Sequence, residues 1–467
     1  MLIFVLLNTL THTSRQQPIS SLAGWLTAPV DNSPLILFRV VFGLLIAVEG
    51  FGAILTGWVR RVFVEPQFTI NFIGLEFLQV LVGETMYLVY GLLGISGLMV
   101  MLGFRYRLAI VTYATLWSIS YLLQKTSYNN HYYLLMLLCW VMVLMPAHRY
   151  FSLDVRQNFV RKSLTCPRWC TVVFVVQLFI VYTFASLAKI YPDWLAGRPI
   201  SLWFAGKADF WLVGALLQKD WLQTMVIYGG IAFDGLIIPA LLWRKTRPYA
   251  FAIGLFFHGF NSAVFHIGIF PYLAIALCVF FFPPEQVRRL FFKRKAKVTS
   301  ELVSQTNYSL PTWALVLGIL YFSWQVYLPL RHHLYPGNVF WTEEGHRLSW
   351  RMMLRTKSGS VRFMVENKAT GETWWEEPRD HLTAKQSRKV ATHPDMIWQF
   401  SQYLEKVYQE RGYDDVAIYA HGEASLNGHP RDPLVDSSVD LTSVPWQPFR
   451  HAEWIYPDRV LNQNSDP

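Results

Sequence analysis

The chain has 467 residues, of which 53% are hydrophobic and only 15% are charged. Soluble proteins carry about 25% charged residues, so this composition argues against a soluble protein and favours a membrane protein. The formal net charge is +10, but the basic residues lie in short clusters between apolar runs, a distribution that argues against nucleic-acid binding.

Apolar stretches that could span a membrane, about 20 residues each, occur nine times along the chain. They lie at residues 35–56, 86–104, 107–124, 131–147, 171–191, 221–243, 249–264, 267–283 and 310–330. Every even-numbered connection is basic, and the densest cluster is RRLFFKRKAK at residues 288–297. The positive-inside rule therefore predicts a cytoplasmic N-terminus and an extracytoplasmic C-terminus.

The composition changes after about residue 331. The segment SWRMMLRTKSGSVRFMVENKATGETWW, residues 349–375, alternates apolar and polar residues around an ATG turn, which predicts a β-hairpin. A helix is predicted at about 393–411, and VAIYAHGEASLNGHP is typical of strand and turn. The fold class is therefore a mainly α polytopic membrane protein with a C-terminal extracytoplasmic α+β domain. The predicted units are residues 1–30, 31–330 and 331–467.

Polar residues gather in the odd-numbered connections. These contain QKTSYNNHYY at 124–133, Lys189 in IVYTFASLAKIYPDW, FHGFNSAVFHIGIFPY at 257–272, and the pair His332 and His333. The topology predicts that they meet beneath the soluble domain, and ionisable residues in membrane segments are functional candidates. FHGFNSAVFHIGIFPY itself contributes His258, Asn261 and His266.

Each of these residues also has a structural interpretation. Lys189 could extend its amine to the membrane surface, His131 could form an interfacial hydrogen bond, and His258 with Asn261 could join two helices. His332 and His333 could be a surface pair. The histidines lack metal-ligand spacing, so no metal is predicted.

An uncharged amine, imidazoles and amides in an apolar wall would suit proton transfer on a lipid-soluble substrate. Burial disfavours the ammonium form of a lysine, and an amine kept uncharged in this way can accept a proton near neutral pH. This expectation gives Lys189 a function at the end of an apolar helix.

Several long motifs resemble the vitamin K-dependent gamma-glutamyl carboxylase family. They are KTSYNNHYYL, IVYTFASLAKIYPDW, FHGFNSAVFHIGIF, WTEEGHRLSWRMM, HPDMIWQF, and the run from SLNG through VDLTSVPWQPF to HAEW. LFRVVFGLLIAVE resembles the start of the horizontally transferred transmembrane domain of the bacterial relatives. The resemblance runs in order from about residue 30 to residue 457.

The resemblance implies oxygenation of vitamin K hydroquinone to its 2,3-epoxide, coupled to carboxylation of a protein glutamate to gamma-carboxyglutamate. The co-substrates would be the reduced prenylated naphthoquinone, O2 and CO2, and the partners a glutamate-containing protein or peptide and membrane lipid. Lys189 matches the lysine that deprotonates the hydroquinone, and His131 the histidine that assists carbanion formation or carboxylation. Quinone contacts are implied for Asn130, His258, Trp350, Met352 and Met353. Glutamate or vitamin access is implied for Trp341, Ser349 and His332.

The animal enzymes continue beyond the residue that matches Trp454 and have a cysteine pair that this chain lacks. A bacterial member in the inner membrane is therefore expected. One alternative is a quinol epoxidase, or another quinol-oxidising membrane enzyme, that does not carboxylate protein. A multipass transporter or scaffold is the alternative from another class. It predicts inverted repeats and broken helices, and the sequence displays no repeat.

Overall fold

The computed structural model of the chain describes residues 22–211, 213–265 and 267–458. Most of the predicted N-terminal segment, residues 1–21, lies outside the described residues, as does His266.

Helices occupy all nine positions at which the apolar pattern predicts them. They are α1 (Ser33–Leu55), α2 (Thr85–Leu102), α3 (Tyr106–Leu123), α4 (Asn130–Leu144), α5 (Trp169–Leu187), α6 (Asp220–Leu242), α7 (Arg247–Phe265), α8 (Phe270–Leu277) and α9 (Thr312–Leu330). Short α-helices connect or flank them at Leu22–Thr27, Leu153–Arg156, Pro192–Leu195, Arg198–Ala205, Gly214–Leu217, Pro284–Phe291 and Ser300–Gln305. Single turns of other helix types lie at Arg60–Val64, Glu76–Leu81, Lys125–Ser127, Cys278–Phe281 and Arg331–Leu334.

The prediction of nine membrane spans is not confirmed. Among the described residues, five helices are long and apolar enough to cross a membrane, and a bent pair would make six. α3 and α7 have sufficient length, but residues such as Ser120 in α3 and Asn261 in α7 make them less apolar. α4 has only 15 residues.

In the predicted span at 267–283, regular α-helix is limited to the eight residues of α8, and a short 3-10 helix continues it to Phe281. The chain bends by 116° between Phe270–Phe281 and Pro284–Phe291. Pro283 and Pro284 stand at the bend, and proline cannot donate the backbone hydrogen bond that would continue the helix. The apolar run therefore ends in a turn within the bundle.

Small residues allow α1 and α2 to pack closely. A β-carbon on Gly43 would lie 2.3 Å from the backbone nitrogen of Met101, and one on Gly97 would lie 2.5 Å from that of Ala47. Such close approach of backbones is a common way to stabilise helix pairs in membranes, where apolar burial between helices contributes little.

A short two-stranded sheet lies at the end of the bundle away from the C-terminal domain. Strand β1 (Pro29–Asp31) pairs antiparallel with β2 (Thr165–Pro167). Lys295, whose side chain is fully buried, forms an ion pair with Asp31 at this end. This buried lysine–aspartate pair is well removed from the polar residues singled out in the sequence.

The C-terminal domain is an antiparallel sheet covered by a helix. Strands β3 (Lys357–Asn367), β4 (Thr373–Glu376), β5 (Val416–Leu426) and β6 (Asp432–Pro433) lie in the order β4-β3-β5-β6. The helix is α10 (Pro394–Glu410), and shorter helices lie at Val339–Thr342, Pro378–His381 and Ala384–Val390. The sheet-containing domain and the helix predicted at 393–411 are thus confirmed.

The predicted hairpin begins later than its sequence pattern indicates. Residues 349–356 are irregular, and the first strand starts at Lys357. Trp350 and Met353 have backbone φ angles of 60° and 48°. These left-handed conformations are incompatible with an extended strand. The stretch instead lies against the membrane helices.

The C-terminal domain contacts the end of the bundle that carries the polar connections. Asp193, just after α5, accepts hydrogen bonds from Asn427 Nδ2 at 2.9 Å and contacts His429 Nε2 at 2.9 Å. On the other side, Gln399 Nε2 donates to the carbonyl of Asn71 at 3.0 Å. The polar connections therefore do meet beneath this domain, as the topology predicted.

Candidate functional site

Lys189 lies two residues beyond the end of α5 and is only 8% exposed. Its Nζ donates to Asp234 Oδ2 at 2.5 Å and to the carbonyl of Ala185 at 3.1 Å. The expectation of an amine among neutral groups is therefore wrong, because a carboxylate on α6 is its direct partner. Charged groups are seldom buried singly, and this pairing offsets part of the desolvation cost of each ion.

The approach of α6 to α5 brings Asp234 to the lysine. Ser186 Oγ donates to the carbonyl of Ile231 at 2.9 Å, and a β-carbon on Gly235 would lie 3.1 Å from the same Oγ. The sequence contained a signal for Asp234, which is the one carboxylate within the apolar run IYGGIAFDGLIIPALL. A lone acidic residue in such a run is itself a functional candidate.

His131 and His258 lie on either side of one phenylalanine. The His131 ring stacks on Phe270 with 4.3 Å between centroids, and the His258 ring meets Phe270 edge-on at 5.7 Å. His258 Nε2 is 2.9 Å from the Tyr182 hydroxyl, whereas its buried Nδ1 has no hydrogen-bond partner. Sequence reasoning missed Tyr182, which carries no signal beyond being one of many aromatic residues in the bundle.

Lys189 and His131 lie at the same end of the bundle without touching. Phe233, adjacent to Asp234, packs against His258 at 5.9 Å between centroids, and His258 in turn meets Phe270. A series of ring contacts thus runs from Phe233, the residue before Asp234, through His258 and Phe270 to His131. In the described part of the chain, no hydrogen bond or ring contact joins Lys189 to His131 directly.

The segment Leu348–Met353 lies over the start of α4. Asn130 Nδ2 donates to the carbonyl of Arg351 at 2.8 Å, and the Tyr128 hydroxyl accepts from the backbone N–H of Leu348 at 2.6 Å. Trp350 is fully buried and stacks on Tyr133 with 5.0 Å between ring centroids. The structure therefore brings Asn130, Trp350 and their neighbours together.

Two cavities lie beneath the C-terminal domain. The larger has a volume of about 810 Å³ and is lined mainly by apolar residues such as Phe184, Leu187 and Ile190. The polar and charged residues in its wall are Asp193, Arg198, His332, His333, Asn338, Ser349, Arg351 and His429. Lys189 lies between two wall residues, Ala188 and Ile190, with its amine turned toward Asp234. This volume falls within the range of about 300–1,000 Å³ that is usual for small-molecule sites.

The smaller cavity has a volume of about 190 Å³. Four of the predicted site residues line it, namely Asn130, His131, Met352 and Met353. Arg351 is in the wall of both cavities and so marks where they adjoin. Six of the ten predicted site residues thus line one or the other of two neighbouring cavities.

Four predicted residues line neither cavity in the described structure, and Lys189, with its amine on Asp234, is one of them. Trp350 is enclosed beside Tyr133, and His258 faces Tyr182 and Phe270. Trp341 is 1% exposed, and its Nε1 donates to the carbonyl of Tyr456 at 2.9 Å, inside the core of the C-terminal domain. A role for Trp341 in substrate access stays a prediction.

The smaller cavity is strongly basic, which the sequence analysis missed. Its wall contains five cationic side chains and no acidic one, the cations being Lys125, Arg347, Arg351, Arg355 and Lys389. The spacing in RLSWRMMLR, with an arginine at every fourth position, is the signal that was available. Their convergence with Lys125 and Lys389 depends on tertiary contacts.

Two carboxylates behind the wall, Asp395 and Glu343, compensate part of this charge, and Glu343 pairs with Arg355. Arg347 binds Asp395 with both terminal nitrogens, at 2.7 and 3.1 Å, and Lys125 also contacts Asp395. Burial alone would raise the pKa of Asp395, but Arg347 and Lys125 hold it well below its ordinary value. Burial lowers the pKa of Lys125 to about 8 although Asp395 opposes the shift, and burial likewise lowers that of Lys389 to about 8.

Family models match both parts of the chain. Residues 27–285 match the HTTM domain, and residues 310–460 match the lumenal domain of vitamin K-dependent gamma-carboxylase. The chain belongs to the vitamin K-dependent gamma-glutamyl carboxylase family. No solved structure matches it.

Membership in the carboxylase family makes the chain a membrane enzyme of carboxylase type, with its lumenal-type domain extracytoplasmic. The family implies vitamin K hydroquinone, O2 and CO2 as co-substrates and a glutamate-containing substrate. Within the described residues, no group of three or more His, Cys, Asp or Glu side chains is placed to hold a metal ion.

Proposed function

We propose that this carboxylase couples oxygenation of vitamin K hydroquinone to carboxylation of a peptide glutamate at its γ-carbon. The observation that carries the proposal is the buried Lys189–Asp234 pair, which lies behind wall residues Ala188 and Ile190 of a mainly apolar cavity that adjoins a cationic one. An apolar space suits a prenylated ring system, and a cationic space suits an acidic side chain. The adjoining cavities supply both environments at one end of the bundle.

Lys189 acts as the base toward the hydroquinone hydroxyl. A 2.5 Å hydrogen bond joins the Lys189 amine to Asp234, so one proton can pass between the two groups. In a poorly solvated site the neutral amine and carboxylic acid compete with the ion pair, because each ion pays a large desolvation cost. When the proton lies on Asp234, the Lys189 amine has a free lone pair and can accept a proton.

Vitamin K hydroquinone, when bound, supplies the energy of its reaction with O2, which an amine alone cannot provide for removal of a γ-proton. The chain's own contribution is to place the acidic side chain beside His131 and to exclude water. His131 assists carbanion formation or its reaction with CO2. The Leu348–Met353 segment covers this space, and exclusion of water protects a carbanion from simple reprotonation.

We further place the N-terminus in the cytoplasm and the protein in a bacterial inner membrane. Support comes from basic residues at the end of the bundle away from the C-terminal domain, such as Arg105, Arg149 and Lys295.

A coupled assay tests the proposed reaction. The full chain in lipid nanodiscs is supplied with vitamin K hydroquinone, O2, labelled bicarbonate and a glutamate peptide, and epoxide and fixed label are both measured. Formation of both products, with label absent when glutamine replaces glutamate, is expected. Epoxide without fixed label would instead support a quinol epoxidase, and neither product would contradict both.

A further inference from the structure

Arg351 and Lys389 differ from the other cations of the smaller cavity because no described carboxylate pairs with either of them. Asp395 binds Arg347 and Lys125, and Glu343 binds Arg355. Among the described residues, neither Arg351 nor Lys389 has a carboxylate within ion-pair distance. Buried or half-buried arginines are normally paired, so an unpaired one beside a cavity needs an explanation.

The hydrogen bonds of the Arg351 guanidinium are also incomplete. Its Nε is buried and has no partner. One terminal nitrogen lies 2.9 Å from His332 Nδ1, but the same Nδ1 lies 2.8 Å from the carbonyl of Pro329. A carbonyl only accepts and a guanidinium only donates, so one ring nitrogen cannot satisfy both. The Arg351 guanidinium therefore has N–H donors that lack an acceptor.

The size of the adjoining space limits what that acceptor is. The smaller cavity, about 190 Å³, lies below the range of about 300–1,000 Å³ that holds drug-sized ligands. Its wall contains no acidic residue, and it is large enough for a side chain rather than for a prenylated ring. A carboxylate is the anion that a planar guanidinium binds with two parallel hydrogen bonds.

We propose that Arg351, assisted by Lys389, binds the side-chain carboxylate of the substrate glutamate and holds it beside His131 in the smaller cavity. The inference rests on the proposed carboxylase function and deepens it by assigning one substrate to each of the two cavities. The larger apolar cavity takes the ring system. The smaller cationic cavity takes the acidic side chain, with Arg351 at the boundary.

Binding in the absence of O2 and quinol tests the role of Arg351 without requiring turnover. Titration calorimetry on the full chain in nanodiscs compares a glutamate pentapeptide with its glutamine counterpart. Arg351→Gln should weaken binding of the glutamate peptide by about tenfold or more, the loss expected for a charge-assisted hydrogen bond, and leave the glutamine peptide unaffected. Arg351→Lys should recover part of the lost affinity, because lysine restores the positive charge but not the paired N–H donors of the guanidinium.

Two controls separate this role from a structural one. Arg362 lies on an exposed part of β3 and pairs with Glu377, so Arg362→Gln should bind the peptide as wild type does. In turnover, Arg351→Gln should raise the KM for the peptide while the KM for hydroquinone stays within about twofold of wild type. Wild-type peptide affinity in Arg351→Gln, or equal loss of both substrates, would overturn the inference.

Bicarbonate is an anion that a guanidinium could bind in the same way as an acidic side chain, and the same titration distinguishes the two. Binding of the peptide that persists at high bicarbonate concentration supports the proposal, whereas full displacement would assign Arg351 to the inorganic anion. A chain that binds the peptide through Arg351 but fixes no label would contradict the proposed reaction alone. A chain that fixes label normally with Arg351→Gln would contradict this inference alone.

Discussion

At the scale of single residues, the central feature is a lysine that is buried together with its counter-ion. Removing one partner of such a pair leaves the other charge uncompensated, which costs about 3–5 kcal/mol. A loss of activity in a variant must therefore be separated from a loss of folding. The chain contains a matched control, since Lys295 and Asp31 form a second buried pair at the opposite end of the bundle.

Asp234→Asn should abolish the sharing of a proton with Lys189. The amide cannot accept that proton, and an ammonium formed at Lys189 would have no counter-ion. Since general-base catalysis contributes about 10²–10⁴-fold, epoxide formation should fall by at least about 10²-fold. The measurement is the epoxide formed per folded enzyme, with Asp31→Asn as the control. A wild-type rate in Asp234→Asn would refute the shared-proton account.

His131→Gln should separate the two half-reactions. The amide keeps a polar group against Phe270 but cannot act as an acid or base, so epoxide should still form while fixed label falls by about 10²-fold. Chromatography of the quinone measures the epoxide, and the label recovered in the peptide measures carboxylation. His421 is exposed, so His421→Gln should alter neither yield. Equal loss of epoxide and label in His131→Gln would place His131 in quinol oxidation instead.

At the scale of elements, the Leu348–Met353 segment depends on the start of α4. Asn130 is the link, because it donates to the Arg351 carbonyl and accepts from the Tyr128 hydroxyl. Asn130→Leu should loosen the segment, so amide exchange of residues 348–353 should become faster by about tenfold or more, as expected when a buried hydrogen bond of 1–2 kcal/mol is lost. Hydrogen–deuterium exchange by mass spectrometry measures this change. Unchanged exchange would mean that Trp350 stacked on Tyr133 holds the segment without Asn130.

Most helices were predictable because an apolar run of about 20 residues has few alternatives in a membrane. Helix α10 was also predictable, from HPDM at its start and ERGY at its end. Two failures were local. The apolar run that ends at Pro283 forms only a short α-helix followed by a 3-10 turn, and the left-handed residues Trp350 and Met353 interrupt an alternating pattern.

The candidate site was only partly predictable, because its pairings join distant parts of the chain. Asp234 is 45 residues from Lys189, and Asp395 is 270 residues from Lys125. Each charged residue was visible in the sequence, but its partner was set by helix packing. Sequence motifs therefore selected residues of which six line the two cavities, whereas the structure was required to find the cationic character of the smaller cavity and the counter-ion of Lys189.

At the scale of the whole molecule, Asp395 joins the C-terminal domain to the bundle. Its carboxylate binds Arg347 within the domain and Lys125 between α3 and α4. Because the pKa of Asp395 lies below its ordinary value of about 3.9, the pair stabilises the folded state fully above about pH 4. That stabilisation is lost as the pH falls toward the lower pKa of the folded state.

Asp395→Asn should lower the free energy of unfolding by about 3 kcal/mol or more at neutral pH, because two cations lose their counter-ion. The difference from wild type should stay constant down to about pH 4 and narrow below it. Denaturant unfolding followed by tryptophan fluorescence at several pH values measures it. Asp415 is an exposed partner of Lys368, so Asp415→Asn should change little. A difference that widened at acid pH would contradict the assigned sign.

The most direct test of the account is the coupled assay on Lys189→Met beside Lys295→Met, with products normalised to folded enzyme. Both variants lose a buried lysine paired with an aspartate, but only Lys189 has chain neighbours, Ala188 and Ile190, in the wall of the larger cavity. The account predicts that Lys189→Met forms neither epoxide nor fixed label, while Lys295→Met forms both. Epoxide formation at the wild-type rate by Lys189→Met would contradict it.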